Sequence, residues 1–431
     1  MTQPTANPAH AVIPGGAHTY SKGDDQFPAT APRFLERGDG AHVWDDRDRR
    51  FLDWTMGLRT MTLGYRHAAV IEAAVEQIWK GSNFGRPSRI EMETAEDLLA
   101  LLPSADMVKF GKNGSNVTTA AVKLARAHTG RDLVAICLDH PFFSFDDWFI
   151  GATPCHSGVP QAIRDLTVGF RYNDLDSVRR LFTEHPGRIS AVIMEAATSE
   201  PPRDGFLHAV RSLCRDNGAL FILDEMITGF RWHRGGAQAF YDLDPDLSTF
   251  GKGMGNGFAV SALVGKREIM ELGGIGHKRR RVFLMSTTHG AENHALAAAR
   301  AVMRVYGEQD VIGHMWRVGA ALIEGLNEAA RNSRVSDHFT AFGYACGPQF
   351  ACRDRDGAIS APMRTLFLQE MARHGVIMNY VAPSLAHGPA EVDVTLEAAR
   401  RALGVYARAL EGDVGSLLEG PPLKPVFREY N

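Results

Sequence analysis

Between residues 107 and 264, short apolar runs alternate with amphipathic segments. This alternation limits the possible folds more than any other feature of the chain. The runs are residues 107–110, 133–138, 191–194, 219–223 and 259–264. Each has the length of a strand, and a continuously apolar strand is buried on both faces. The segments 118–128, 175–182 and 207–217 lie between them and carry apolar residues at helical spacing. Strand and helix in repetition predict an α/β fold, with a mostly parallel central sheet between helices.

The flanks read differently. Residues 1–40 are rich in Gly, Pro and turn formers and read as an extended arm. Residues 41–44, a polar turn at 45–50 and residues 51–54 then form a hairpin pattern. Helical spacing covers 70–79, 91–102, 295–306 and 312–330. Beyond it the pattern is mixed, with strands at 350–352 and 376–378 and a last helix at 391–410. The expected division is an arm with part of a small domain (1–67), a large domain (68–330) and a C-terminal α+β small domain (331–431). With 431 residues, 45% of them hydrophobic, the chain can bury cores in two such lobes.

Charge and cysteine usage narrow the function. The net charge is only -3, from 47 basic and 50 acidic side chains, so nucleic acid and anionic membranes are not expected as partners. No apolar stretch approaches the roughly 20 residues of a membrane span. The first residues lack a basic region followed by an apolar block, so no secretory signal is expected. Five cysteines without a CxxC pair suggest neither a disulfide framework nor a thiolate metal site. A reducing cytoplasm is the expected compartment.

Three segments carry chemistry. The run 219–223 ends in Asp224 and Glu225, at the carboxyl end of a buried strand, where open α/β sheets bind ligands. Capping of the following turn is the alternative, and it weighs more for Glu225 than for Asp224. The second segment, STFGKGMGNG (248–257), holds Lys252, one of nine lysines against 38 arginines. Lysine is usually solvent-facing. In a glycine-rich turn beside apolar chain it can instead be desolvated and reactive. The glycine spacing also suggests a dinucleotide loop, but no clear strand precedes it and no GK[ST] follows. The third segment, FGKNGSN (110–116), leads into a helix whose first N–H groups can bind an anion; a plain N-cap by Ser115 or Asn116 is the alternative. A phosphate cradle, an acid at a strand end and an activated lysine together fit pyridoxal phosphate.

The motifs DEMITGFR (224–231) and FGKGMGNG (250–257), with an early PGG and GAHVWDDRDRRFLDW (40–54), resemble class III pyridoxal-phosphate aminotransferases. Within that family the chain looks most similar to the glutamate-1-semialdehyde aminomutase-like subgroup, and the resemblance runs from about residue 13 to 410. It implies fold type I and a homodimer with shared active sites. It assigns Lys252 as the Schiff-base lysine and Asp224 as partner of the pyridine nitrogen. Met226 would pack under the ring and Phe142 would stack on it. Asn113, Gly114 and Ser115 would match the phosphate-binding turn, and Glu195 an acid near the site. Thr288 would reach the phosphate of the neighbouring subunit's cofactor. Where many relatives have Tyr-His-Gly, this chain has Phe142-Phe143-Ser144.

Lys22 stands where semialdehyde aminomutases carry an arginine for the substrate carboxylate, and a lysine lacks that planar fork. The expected activity is therefore transfer of an amino group to or from a sugar-like or aminocyclitol substrate. Elimination or epimerisation of an amino sugar, the semialdehyde aminomutase reaction and a non-enzymatic binding protein are the alternatives. A binder would need neither Lys252 nor Asp224. The segment 272–281, with three glycines followed by His277–Arg281, is expected to be a solvated loop or one that orders over substrate at a dimer seam.

Overall fold

The structure is a computed structural model that describes residues 7–430, so residues 1–6 of the expected arm lie outside it. The chain forms two compact units, one of residues 68–312 and one combining the chain up to 67 with the chain from 313 onward.

In the second of these, β1 (Leu35–Asp39), β2 (His42–Asp45) and β3 (Arg50–Asp53) form an antiparallel meander. The expected hairpin is β2–β3. The extra strand β1 falls in the segment read as an arm. Its sequence, LERGD, shows no apolar alternation because its residues are largely exposed.

The 68–312 unit is built on seven strands. They are β4 (Met107–Gly111), β5 (Leu133–Cys137), β6 (Thr167–Phe170), β7 (Ile189–Met194), β8 (Leu220–Asp224), β9 (Leu247–Phe250) and β10 (Ser261–Gly265). Their order is β4-β10-β9-β8-β7-β5-β6. β10 runs antiparallel to both neighbours; the other pairs are parallel. Every residue of β5, β7, β8, β9 and β10 is buried, which explains the largely apolar sequences of β5, β7 and β8. The helix Gly114–Thr129 packs across β7, β9 and β10, and Phe206–Asp216 packs on β8. The carboxyl ends of β4, β5, β7, β8 and β9 share one edge of the sheet, so the loops leaving them are gathered there.

Two strands escaped the apolar pattern. β6 is only partly buried along its length. β9 reads LSTF, and its two hydroxyl residues hide a fully buried strand. A strand therefore does precede the Lys252 loop, contrary to the sequence reading. The dinucleotide reading still fails, because the loop continues through a short 3-10 turn into β10 and not into a helix.

The remaining strands belong to the other unit. β11 (Phe339–Phe342) and β12 (Gln349–Cys352) form a hairpin, and β13 (Val376–Ile377) lies parallel to β3. The helices Ala361–Arg373 and Pro389–Glu411 cover a core that includes Phe339, Phe367, Leu403 and Tyr406. The sequence reading set the domain boundary at 330; the structure sets it at 312/313. Val311–Asn332 is one continuous helix, and its Val318, Leu322 and Leu326 lie in this unit's core, so the helix cannot be assigned to the large domain.

Candidate active site

Asp224 ends β8, and its register partner on β9 is Thr249. The Thr249 hydroxyl donates to Asp224 Oδ1 at 2.9 Å, and the Met226 backbone N–H donates to the same oxygen at 2.9 Å. Oδ2 receives neither bond. Burial pushes the Asp224 carboxyl above the usual carboxylate range, while the Lys252 charge and the two hydrogen bonds pull the other way. Lys252 lies three residues beyond Thr249, in the left-handed region at φ 43°. Such a backbone is costly for a non-glycine residue and is characteristic of functional turns. The two strand ends thus place a buried acid and a lysine side by side.

Glu225, the next residue, has a different task. It is fully buried and accepts the N–H groups of Ala237 and Gln238, each at 2.7 Å, and the Thr228 hydroxyl. Burial pushes its carboxyl up to about 7. Gly236, at φ +78°, is required beside it, since a Cβ there would lie 2.6 Å from the carboxylate. The capping alternative is the one this structure shows for Glu225.

A cradle lies at the end of β4. The N-cap of the helix Gly114–Thr129 is Asn113, whose side chain accepts the Asn116 N–H at 3.0 Å; neither Ser115 nor Asn116 is the cap. Ser261 on β10 donates to the Asn113 carbonyl at 2.8 Å and ties the turn to the sheet. The Ser115 hydroxyl accepts the Phe145 N–H at 3.0 Å. The N–H groups of Gly114 and Ser115 have no protein acceptor among the described residues, as expected for the first turn of a helix. They form a site for an anion.

Met226 joins the two halves. Its methyl would lie 3.2 Å from a Cβ on Gly114 and 2.3 Å from one on Gly251. The methionine fills space that only glycines leave open, between the phosphate turn and the lysine turn. Glu195 follows Met194, the register partner of Leu223, so it stands beside Asp224 at the sheet edge. Its backbone N–H donates to His140 Nδ1 at 3.0 Å. His140 is buried, and burial pushes its imidazole down to about 4. It is therefore neutral, with its proton on Nε2. Phe142 is 44% exposed and packs edge-on against Phe149.

These residues fit pyridoxal phosphate. The buried Asp224 carboxylate suits a cationic ring nitrogen, the helix start offers N–H groups to a phosphate, and Lys252 follows the strand beside Asp224. Thr288 stands apart: it is exposed, and its carbonyl accepts from Asn83 at 3.0 Å. The sequence reading missed Thr249, Ser261 and His140, although Thr249 lies within the segment 248–257 and His140 just before Phe142. No group of His, Cys, Asp and Glu among the described residues could hold a metal ion.

The profile of the class-III aminotransferase family matches residues 23–387. A glutamate-1-semialdehyde 2,1-aminomutase of Chloroflexus aurantiacus is 32% identical, over 94% of this chain and 96% of that protein. Among solved structures, the FumI protein of Sphingopyxis sp. MTA144, in its PLP internal-aldimine form, superposes with a TM-score of 0.86 at 28% identity. That match covers 97% of this chain and 96% of the other. An omega-transaminase from Sphaerobacter thermophilus gives a TM-score of 0.83 at 26% identity, covering 93% and 96%.

Proposed function

This chain belongs to the class-III aminotransferase family, whose members are pyridoxal-phosphate enzymes, and from that premise we propose that it transfers an amino group to or from a sugar-like or aminocyclitol substrate. The observation that carries the amino-transfer chemistry is the pairing of Asp224 with Lys252 at adjacent strand ends. When bound, the cofactor supplies an electron sink for the bond broken at the carbon that bears the amino group. Asp224, whose Oδ1 is already engaged, would hold a proton at the ring nitrogen through Oδ2. The Gly114 and Ser115 N–H groups would hold the cofactor's phosphate, and Met226 and Phe142 would pack against its ring. Lys252 Nζ would anchor the cofactor and would then carry a proton to and from the substrate carbon. Glu195 borders the site beside Asp224.

Thr288 acts on the cofactor of a second copy, so the working enzyme is a homodimer. It resides in the cytoplasm, in keeping with five cysteines that form no disulfide among the described residues. No helix among the described residues is long and apolar enough to cross a membrane. The sugar-like substrate rests on Lys22, which replaces the arginine expected of an enzyme that grips an amino-acid carboxylate. The aminomutase reading is favoured by the Chloroflexus relative. Supplying an amino-acid donor with either a keto-sugar or glutamate-1-semialdehyde separates the two. Amino transfer to the keto-sugar is expected; conversion of the semialdehyde alone would establish the mutase.

The role of Lys252 has a test independent of turnover. After borohydride reduction, the intact wild-type chain gains the mass of the reduced cofactor, and Lys252→Ala does not, while its fold is unchanged. A variant that still retains the cofactor covalently would remove Lys252 from this role.

A further inference from the structure

The unit that holds β1–β3 has a cavity of its own, about 830 Å³ in volume. This is within the size range of small-molecule sites, roughly 300–1,000 Å³. Its lining residues include five arginines, Arg33, Arg47, Arg49, Arg50 and Arg373, against only two acidic residues, Asp46 and Glu419; Arg33, Arg47, Arg49 and Arg50 are exposed to solvent. Two of the five arginines are answered by the protein. Arg49 Nε binds Asp45 Oδ2 at 2.7 Å, and Arg373 pairs with both Glu370 and Glu419. Arg33, Arg47 and Arg50 have no carboxylate partner among the described residues. Elsewhere on the same meander, Arg37 is paired with Asp48 at 2.6 Å and lies 3.9 Å over the Trp44 ring.

The turn that presents the unpaired groups is fixed in shape. Asp45 Oδ1 accepts the N–H groups of Arg47 and Arg49 at 3.0 and 2.8 Å. The Asp45 N–H bonds the Arg49 carbonyl and the Asp48 N–H bonds the Asp45 carbonyl, each at 3.1 Å. Asp48 sits at φ 59°. The loop backbone is thus held by its own hydrogen bonds, and it brings Arg47 and Arg50 together at one turn, with Arg33 joining them from the chain before β1. Like charges gathered around a concave surface repel one another unless a counter-charge is supplied, and guanidinium forks suit phosphate oxygens.

The geometry points to a binding site in this cavity for a small molecule that carries two or more phosphates. It lies wholly within the unit that lacks Lys252 and is separate from the cofactor's phosphate cradle. Three arginines without a carboxylate partner among the lining residues of one cavity suit several anionic oxygens along a chain, more than a single carboxylate offers. The near-neutral chain as a whole gives no general attraction for anions, so binding would be local to this cluster.

Calorimetric titration of the cofactor-loaded enzyme with inorganic tripolyphosphate, and separately with ATP, tests this. The loaded enzyme is used so that the cofactor's own cradle is filled. Saturable binding is expected, with a dissociation constant of about 1 mM or lower near physiological ionic strength, weakening as salt rises. The R33A/R47A/R50A variant is expected to lose about tenfold or more in affinity, as fits removal of charged hydrogen bonds. Its cofactor content and basal turnover should stay at wild-type values. The R47K/R50K variant, which keeps the charge but not the fork, is expected to fall between the two. No saturable binding of either probe would overturn the proposal. So would equal affinity in wild type and in both variants, because the phosphates would then sit elsewhere.

Discussion

The Thr249 hydroxyl donates to Asp224 Oδ1 at 2.9 Å across the β8–β9 pair, so the strand that leads to Lys252 also orients the acid. Thr249→Val keeps the shape and the β-branched strand preference but removes this donor. A hydrogen bond of this kind contributes about 1 kcal/mol. We expect kcat/KM to fall about fivefold, with cofactor still bound. Asp224→Asn should be more severe, because it removes the charge that, in the function proposed above, holds the proton on the ring nitrogen. A loss of about 2–4 kcal/mol in the transition state is the scale for such a contact. Steady-state kinetics of both variants check this, and turnover of Asp224→Asn within a factor of two of wild type would rule out the acid's role.

Gly251→Ala tests the cleft that Met226 bridges. The backbone there is extended, so conformation is no obstacle; a Cβ would instead lie 2.3 Å from the Met226 methyl. The methionine must swing away from its place beside Gly114. Overpacking of this kind costs about 1–3 kcal/mol. We expect cofactor affinity to drop roughly tenfold while the cofactor-free protein melts nearly as wild type does. Adding Met226→Ala should restore much of the affinity. If the double variant binds no better than Gly251→Ala, the clash is not the cause.

Asp224 and Lys252 were legible in the sequence because each ends or follows a distinctive pattern, an apolar run in one case and a glycine-rich turn in the other. The parallel sheet was legible for the same reason, since β5, β7 and β8 are apolar at nearly every position. Thr249, Ser261 and His140 were not, because each acts through one hydrogen bond to a residue far along the chain. A polar side chain in a buried strand breaks the apolar run and leaves no periodic trace of its own. The same hydroxyls concealed β9. Asn113, which the resemblance places in the phosphate-binding turn, caps the helix that presents Gly114 and Ser115.

Glu225 predicts a pH dependence of stability. Its carboxyl is raised from the usual 4.5 to about 7 by burial. The folded state therefore holds a proton that the unfolded state has released. This contribution is fully present below about pH 4.5 and is lost as pH rises through about 7, at no more than about 1.4 kcal/mol per pH unit. His140 acts in the opposite sense. Its imidazole is lowered from 6.5 to about 4, so its contribution is present above about pH 6.5 and is lost as pH falls through about 4. The wild-type profile sums the two, and the difference between wild type and Glu225→Gln isolates the first. Urea unfolding at several pH values between 4.5 and 8 should show wild type losing stability relative to the variant as pH rises. Parallel curves would show that Glu225 is ionised throughout.

The segment that leads toward Thr288 provides the last test. The Val282 N–H bonds the Leu272 carbonyl at 2.9 Å and closes the loop at its base, with Leu272 buried. Between these anchors the chain projects into solvent: Ile275 is 86% exposed, and Arg279, Arg280 and Arg281 are all exposed. The Arg279 N–H donates to His277 Nδ1 at 3.1 Å, a local contact that leaves the guanidinium groups pointing to no carboxylate among the described residues. If the dimer places Thr288 at a second copy's cofactor, this arginine run stands at the entrance to that site. An arginine there would meet a phosphate or carboxylate on the incoming substrate. Exposed charge contacts contribute about 0.2–1 kcal/mol each, so three together amount to roughly a tenfold effect. Replacing Arg279, Arg280 and Arg281 with alanine should therefore raise KM for an anionic substrate several-fold and leave kcat near wild type. The gap should narrow as salt rises, because screening weakens exposed pairs. Identical KM values at low salt, for a substrate that the wild type clearly turns over, would make the run an ordinary solvated loop.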